Sequence, residues 1–229
     1  MTKDIAIVHF NTPELTNAEI RSVWKHTPDA RITVFDNSDR RPFPKRETDR
    51  LRVLDNTQGQ LVDFDAMLAR YPGKIPTACN WGSEKHIASV DYLFDTFPEG
   101  FLLMDSDVLV RRDISSLFDQ SVAWAGAIEG QPKFWFQAIR LFPFLLWINV
   151  PMCKAKGIRF FHEGYVYKMS HGDGPPYYDT GGSFYRDCTE ALLPHREINL
   201  DEYVVHLGGA SCYPTQWVEW LVQYKDLYE

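Results

Sequence analysis

FLLMDSDVLV, residues 101–110, is the stretch on which the fold turns. Phe101–Met104 is an unbroken apolar run, short enough for a strand buried on both faces. It delivers Asp105 and Asp107 at its C-terminal end, the place where open α/β sheets bind ligands. Residues two apart in an extended chain point to the same side, so the two carboxylates would converge. Oxygen ligands so arranged suit Mg or Mn, and such an ion can bridge to a diphosphate. Asp-Ser-Asp is also a common turn composition, which leaves open a surface turn after a core strand.

Upstream of this strand the chain alternates. Ile87, Val90 and Phe94 recur at helical spacing over 84–96, closed by Pro98 and Gly100. Leu61, Phe64, Met67 and Leu68 do the same over 60–71, closed by Pro72-Gly73. Ile5–Phe10, Arg31–Asp36 and, more weakly, Leu51–Leu54 read as strands, with Leu15, Ile20, Val23 and Trp24 marking a helix between the first two. This βαβ rhythm predicts an α/β domain with an open, mainly parallel sheet covered on both faces. Downstream, Gln131 to Tyr178 is rich in aromatics, Pro and Gly; a helix around 138–148 and a short strand at Ile158–Phe161 are expected there. Tyr203–Leu207 reads as a late strand. Trp217, Trp220, Leu221, Tyr224 and Leu227 form an apolar stripe on a C-terminal helix, read first as core packing and otherwise as a face for a membrane or partner.

Composition narrows the function. The 229 residues are 45% hydrophobic and 24% charged, which excludes a disordered chain. Lys and Arg total 24 against 31 for Asp and Glu, a net charge of -7, and no basic face is visible, so nucleic acid is disfavoured as a partner. Residues 1–10 lack a signal-peptide layout, and Cys79, Cys153, Cys188 and Cys212 form no CxxC; a soluble cytoplasmic protein with reduced thiols is expected. The most apolar stretch, FWFQAIRLFPFLLWINV at 134–150, is interrupted by Gln137, Arg140 and Pro143 and is too short to span a bilayer. It leaves peripheral membrane contact open.

Three segments, in order, carry a family resemblance. The chain resembles the GT-A glycosyltransferases, nucleotide-sugar enzymes whose DxD motif binds a metal and the donor diphosphate. IVHFNTPELTNAEIRSVWKHTPDARITVFDNSD, residues 7–39, is similar to the start of family-two members. MDSDVLVRRDISSLFD, residues 104–119, is similar to the metal segment of the retaining family eight. YVVHLGGASC, residues 203–212, is similar to the H-x-G-G-x-S segments near the end of several GT-A families. The resemblance implies a single GT-A domain over 1–229, with 1–110 as the nucleotide-binding half and 111–229 as the half for sugar and acceptor. It implies that Phe10, Asn11, Thr12 and Pro13 lie near the nucleotide, with Asp36 and Asn37 at base or ribose. Asp105, Ser106, Asp107 and His206 would hold the diphosphate and a Mn or Mg ion, Asp105 being nearer the ribose. A UDP- or GDP-sugar donor, a saccharide or lipid-linked saccharide acceptor, and a role in surface polysaccharide or glycolipid synthesis follow from the same resemblance.

The residues support parts of this independently. Gly208-Gly209 after His206 permits close backbone approach to a ligand, which favours ligation over a satisfied strand histidine. Lys85 and His86 either face the diphosphate and donor sugar or form a solvated first turn. Arg140 and Asn149 are polar islands in an apolar stretch, open to sugar or acceptor contact or to plain exposure. YYDTGGSFY, residues 177–185, resembles the T-G-G segment under the two sugars, which implies Thr180, Gly181 and Gly182 there. An inverting enzyme needs a carboxylate base. Family-two members supply it from an E-D pair between that segment and the terminal His. Here the acidic pair in that interval is Asp201-Glu202, directly before the His strand and so off the pattern. Asp179 ranks first by position and Asp201 second, while a retaining enzyme needs neither. Trp135, Trp147, Tyr165, Tyr167, Tyr177 and Tyr178 suit sugar faces or a core, and His162, Glu163 and His171 form a weak second metal candidate. A haloacid-dehalogenase-like phosphatase shares hhhhDxDxV, but normally begins with it. A sugar nucleotidyltransferase would want a Gly-rich basic loop where NTPELT stands. A non-catalytic GT-A-like glycan-binding domain is the alternative outside enzymes.

Overall fold

The computed structural model describes residues 2–69, 78–130, 138–161, 179–209 and 217–229, with 67–69 and 78–84 described by their backbone alone. Strands β1 (Asp4–His9), β2 (Arg31–Asp36), β3 (Leu51–Asp55) and β4 (Phe101–Asp105) pair in parallel in the spatial order β3-β2-β1-β4. The two-stranded ribbon partner β5 (Val108–Val110) follows β4 directly. Beyond β4 the sheet continues with β7 (Leu145–Ile148), which is antiparallel to both β4 and β6 (Trp124–Gly126), and ends with β8 (His195–Glu197), parallel to β6. Only β7 runs against the rest. The predicted α/β class with a mainly parallel central sheet is the one observed.

Side-chain alternation makes two cores. Phe101 and Leu103 point to one face, under Ile87, Val90, Leu93 and Phe94 of helix α3 (Ala78–Thr96). Leu102 and Met104 point to the other, under Ile20 and Val23 of helix α1 (Pro13–His26) and against Val108 and Val110. All four β4 side chains from Phe101 to Met104 are fully buried, as an unbroken apolar run demands. Pro13 opens α1, and Lys25 and His26 lie in its last turn, where cations suit the helix dipole.

The helix expected over 138–148 is not formed. Residues 138–140 are irregular, Leu141 bridges Ile128, and Leu145–Ile148 is β7. Pro143 removes an N–H that a helix needs, and the run after it feeds both cores at strand period, Leu146 and Ile148 on one side, Leu145 and Trp147 on the other. The buried residues Leu141 and Leu145–Ile148 are therefore core, and none of them offers a membrane surface. No strand forms at 158–161: Ile158 N–H bonds back to Cys153, and the Asp91 carboxylate takes the Phe160 and Phe161 amides. Helix α2 (Phe64–Ala69) starts later than expected because Asn56 Oδ1 accepts from the Leu61 and Val62 amides before Asp63 Oδ1 takes that of Ala66.

Two short helices complete the second half, α4 (Val150–Lys154) and α5 (Gly182–Glu190). Between them and the C-terminus, β9 (Val204–His206) pairs antiparallel with β5. Helix α6 (Trp217–Gln223) lies on α1, tied by Lys25 Nζ to the Asp226 carbonyl at 2.5 Å and by Arg21 over the Tyr228 ring. Its stripe packs without being buried: Trp217, Trp220, Leu221, Tyr224 and Leu227 are all partly covered, while Val218 and Val222, off the stripe, are exposed. Cys153 and Cys188 are free and buried. Among the described residues, no helix is long and apolar enough to cross a membrane.

Candidate active site at the sheet switch point

The strands β1, β2 and β4 end together, since their register sets His9 beside Asp36 and Val8 beside Asp105. From β1 the chain moves outward to β2 and β3, then returns to place β4 on the other flank. The order of connection therefore reverses between β1 and β4, which opens a crevice at their C-terminal ends. Thr12 and Ser106 meet across it, Oγ1 to Oγ at 3.2 Å.

The DxD carboxylates sit on one wall of this crevice. The β5–β9 ribbon aligns His206 with Val108, and the Leu207 amide donates to the Asp107 carbonyl at 3.0 Å. One ligand atom from each of Asp105, Asp107 and His206 lies within 4.8 Å of the others. His206 Nε2 is 3.2 Å from Asp107 Oδ1, and its ring stacks on Phe144, just before β7, at 3.9 Å between centroids. His86 Nε2 is 3.0 Å from Asp105 Oδ1, at an angle that makes an ionic contact but no hydrogen bond. Burial pushes the Asp105 carboxyl upward, but His86, His206 and Arg140 outweigh it and hold the group below its ordinary value. Burial pulls His206 down, while its bond to Asp107 and the charges of Asp107 and Asp105 leave it raised above 6.5. Two carboxylates and an imidazole within one ion's reach fit a hard divalent cation such as Mn or Mg.

A second polar group adjoins the first. Arg140 Nε donates to Glu129 at 2.6 Å and Arg140 Nη1 to Asp179 at 2.6 Å, and its charge also reaches Asp105. Asp179 turns into α5 by accepting from the Thr180 amide and, through its carbonyl, from the Gly182 amide. Gly181 adopts φ 84°, and a Cβ there would stand 2.5 Å from the Leu141 carbonyl oxygen, so only glycine lets this turn pack. Thr180 is buried beside it.

Other sequence candidates serve the scaffold. Asn11, at φ 59°, accepts from the Arg40 and Arg41 amides and donates to Asp39, fixing the loop beyond β2. Phe10 lies next to it, partly buried. Both oxygens of buried Asp36 are occupied by the Ser38 and Phe43 amides, at 2.9 and 2.7 Å, and Asn37 is bonded to Ser89 and Asn56. Lys85 lies over the Phe64 ring. Two candidates need correction. Asn149 caps α4 through the Met152 amide, next to the start of β4; because β7 is antiparallel, this is the end of the sheet opposite Asp105. Asp201 is exposed in the 3-10 turn Leu200–Glu202, beyond the end of β9 remote from His206, where Arg111 binds its carbonyl. Trp147 is core, with its Nε1 on the Asp119 carbonyl. The remaining candidates, Trp135, His162, Glu163, Tyr165, Tyr167, His171, Tyr177 and Tyr178, lie outside the described residues.

Glu129, Phe144 and Glu19 escaped the sequence reading. Glu19 left a signal: it stands four residues after Leu15 and four before Val23, on the stripe that α1 buries. It is fully buried with no hydrogen-bond partner for either oxygen among the described residues, and burial first, then Asp107 and Asp105, push its carboxyl well above 4.5.

No family model and no curated protein matches the chain. Solved structures to which it is similar include glycosyltransferases. The galactosyltransferase LgtC, in complex with donor and acceptor sugar analogues, is 17% identical over 86% of this chain and 73% of its own, with a TM-score of 0.48. The glycosyltransferase GlyE of Streptococcus pneumoniae TIGR4 is 13% identical over 96% of this chain and 51% of its own, at 0.49. The bifunctional glycosyltransferase WbbM is 12% identical over 68% and 32%, at 0.45.

Proposed function

We propose that the protein is a divalent-cation-dependent glycosyltransferase that moves a sugar from a nucleoside-diphosphate donor to a hydroxyl acceptor. The observation that carries this reading is the convergence of Asp105, Asp107 and His206 at the switch point of the sheet. Breaking the sugar–phosphate bond leaves negative charge on the β-phosphate oxygen. A bound Mn or Mg ion supplies Lewis-acid stabilisation of that charge.

The chain's own groups do the rest. Asp105 at the end of β4, Asp107 just before β5 and His206 at the end of β9 would hold the ion. The Thr12 and Ser106 hydroxyls line the crevice on the nucleotide side. In an inverting reaction Asp179, oriented by Arg140 at 2.6 Å and by the Thr180 amide at 2.7 Å, takes the proton of the attacking acceptor hydroxyl. The saccharide or lipid-linked acceptor and the role in surface polysaccharide or glycolipid synthesis rest on the sequence resemblance.

Calorimetric titration with UDP, GDP, CDP and dTDP, each with and without Mn, tests the reading. Binding of one nucleotide only when metal is present is the expected result. Absence of binding to all four would remove the transferase.

A further inference from the structure

We propose that Glu19 is a third acidic group of the cation site, a buried carboxylate supplied by α1 that sets the affinity for the ion. The inference rests on the reading of Asp105, Asp107 and His206 as that site, and extends it to a helix on the far side of the ribbon.

Three observations lead there. First, Glu19 is fully buried and neither carboxylate oxygen has a hydrogen-bond partner among the described residues. Other acids in this protein are served. Asp36 takes two backbone amides, and Asp91 takes the Arg159 guanidinium and two more amides. A buried polar group left this bare calls for a specific explanation, a bound ion among them. Second, the position is fixed. Ser22, one turn later on α1, accepts the Val110 amide at 2.9 Å while its hydroxyl donates to the Glu19 carbonyl. That clamps this part of the helix to β5, and Thr12, which precedes the same helix, meets Ser106 at 3.2 Å, so Glu19 lies along α1 between the contacts to Ser106 and Val110 that flank Asp107. Third, the company is wrong for a structural acid. Those two neighbours carry its own sign, and no Lys or Arg among the described residues pairs with it.

Three acids around one buried volume cannot all ionise until a doubly charged ion enters. A residue serving only to fill the core would be replaced by Gln or Met without loss. Asp107 and His206 hold the ion directly. Glu19, behind them, adds negative charge at a place where water cannot screen it.

The test is a Mn titration of the full chain followed by electron paramagnetic resonance, with Mn alone and again with UDP or GDP present. Wild-type protein is compared with Glu19→Gln, which keeps shape and removes charge. Outer groups of metal sites change affinity by about 10- to 100-fold, and a weakening of that size is expected for Glu19→Gln, with circular dichroism and melting unchanged or improved. Should Glu19→Gln fail to fold, Glu19→Met, apolar and of similar length, answers the same question. A dissociation constant within about twofold of wild type overturns the role of Glu19 while leaving the site itself standing. A wild-type protein that takes up no Mn under any of these conditions overturns both readings.

Discussion

Exchanging Glu19 for glutamine has a second consequence, in the metal-free protein, that can be worked out in sign and size. The folded-state carboxyl is raised well above 4.5, chiefly by burial and then by Asp107 and Asp105. In the unfolded chain the group ionises near 4.5. Above that pH the unfolded state has lost a proton that the folded state still binds, so stability falls as pH rises. The slope is about 1.4 kcal/mol per pH unit for as long as the folded group keeps its proton. Between about pH 5 and 7 it sums to about 2–3 kcal/mol if the proton is held throughout. The side chain of the Glu19→Gln variant cannot titrate, so the variant loses this slope. Its amide would sit in the same space without partners, a cost of about 1–3 kcal/mol, but that cost is the same at every pH. The informative quantity is therefore the pH dependence of the difference between the two proteins, not its value at one pH. Urea denaturation in EDTA at about pH 5, 6 and 7 measures it. The variant should gain on wild type steadily as pH rises. A difference that stays constant over that range would overturn the account, because Glu19 would then be titrating alike in both states.

Further outcomes follow from the same geometry. Asp107→Ala should abolish metal-dependent nucleotide binding in calorimetry and leave the fold intact; unaltered binding would remove Asp107 from the site. His206 is raised above 6.5, and its proton competes with a metal, so Mn affinity should climb by up to about tenfold per pH unit until that proton is lost. A pH-independent affinity would exclude His206 as a ligand. Asp179→Asn should keep donor affinity and lower the transfer rate by about a hundredfold or more, read from initial rates; full activity would exclude it as the base. Gly181→Ala meets both a left-handed backbone and the Leu141 carbonyl at 2.5 Å, and should cost about 2–4 kcal/mol in urea denaturation. A loss below about 0.5 kcal/mol would mean that the turn relaxes freely.

How far the sequence reaches depends on what each feature requires. The parallel core was legible because β1, β2 and β4 are short apolar runs separated by helices whose stripes point one way, and local period is sufficient to place them. The carboxylate pair was legible for the same reason: a buried strand that ends in D-S-D can put those acids only at the sheet's C-terminal edge. Leu145–Ile148 was misread because a segment buried on both faces carries no period, and its partners Phe101–Met104 lie far back along the chain. Asn149 looked like a sugar contact until the reversed direction of β7 carried it to the opposite end of the sheet. Distance along the chain also hid what completes the site. His206 reaches Asp107 through the β5–β9 ribbon, Arg140 meets Asp179 beside the place where Leu141 packs against Gly181, and Ser22 ties the helix of Glu19 to Val110, just beyond the DxD. Local pattern was thus enough for the parallel strands, the chemistry-bearing edge of the sheet and the two acids on it. Which distant side chains share the charge of those acids was settled by folding, since electrostatic contact depends on separation in space and the chain fixes that only once its strands have paired.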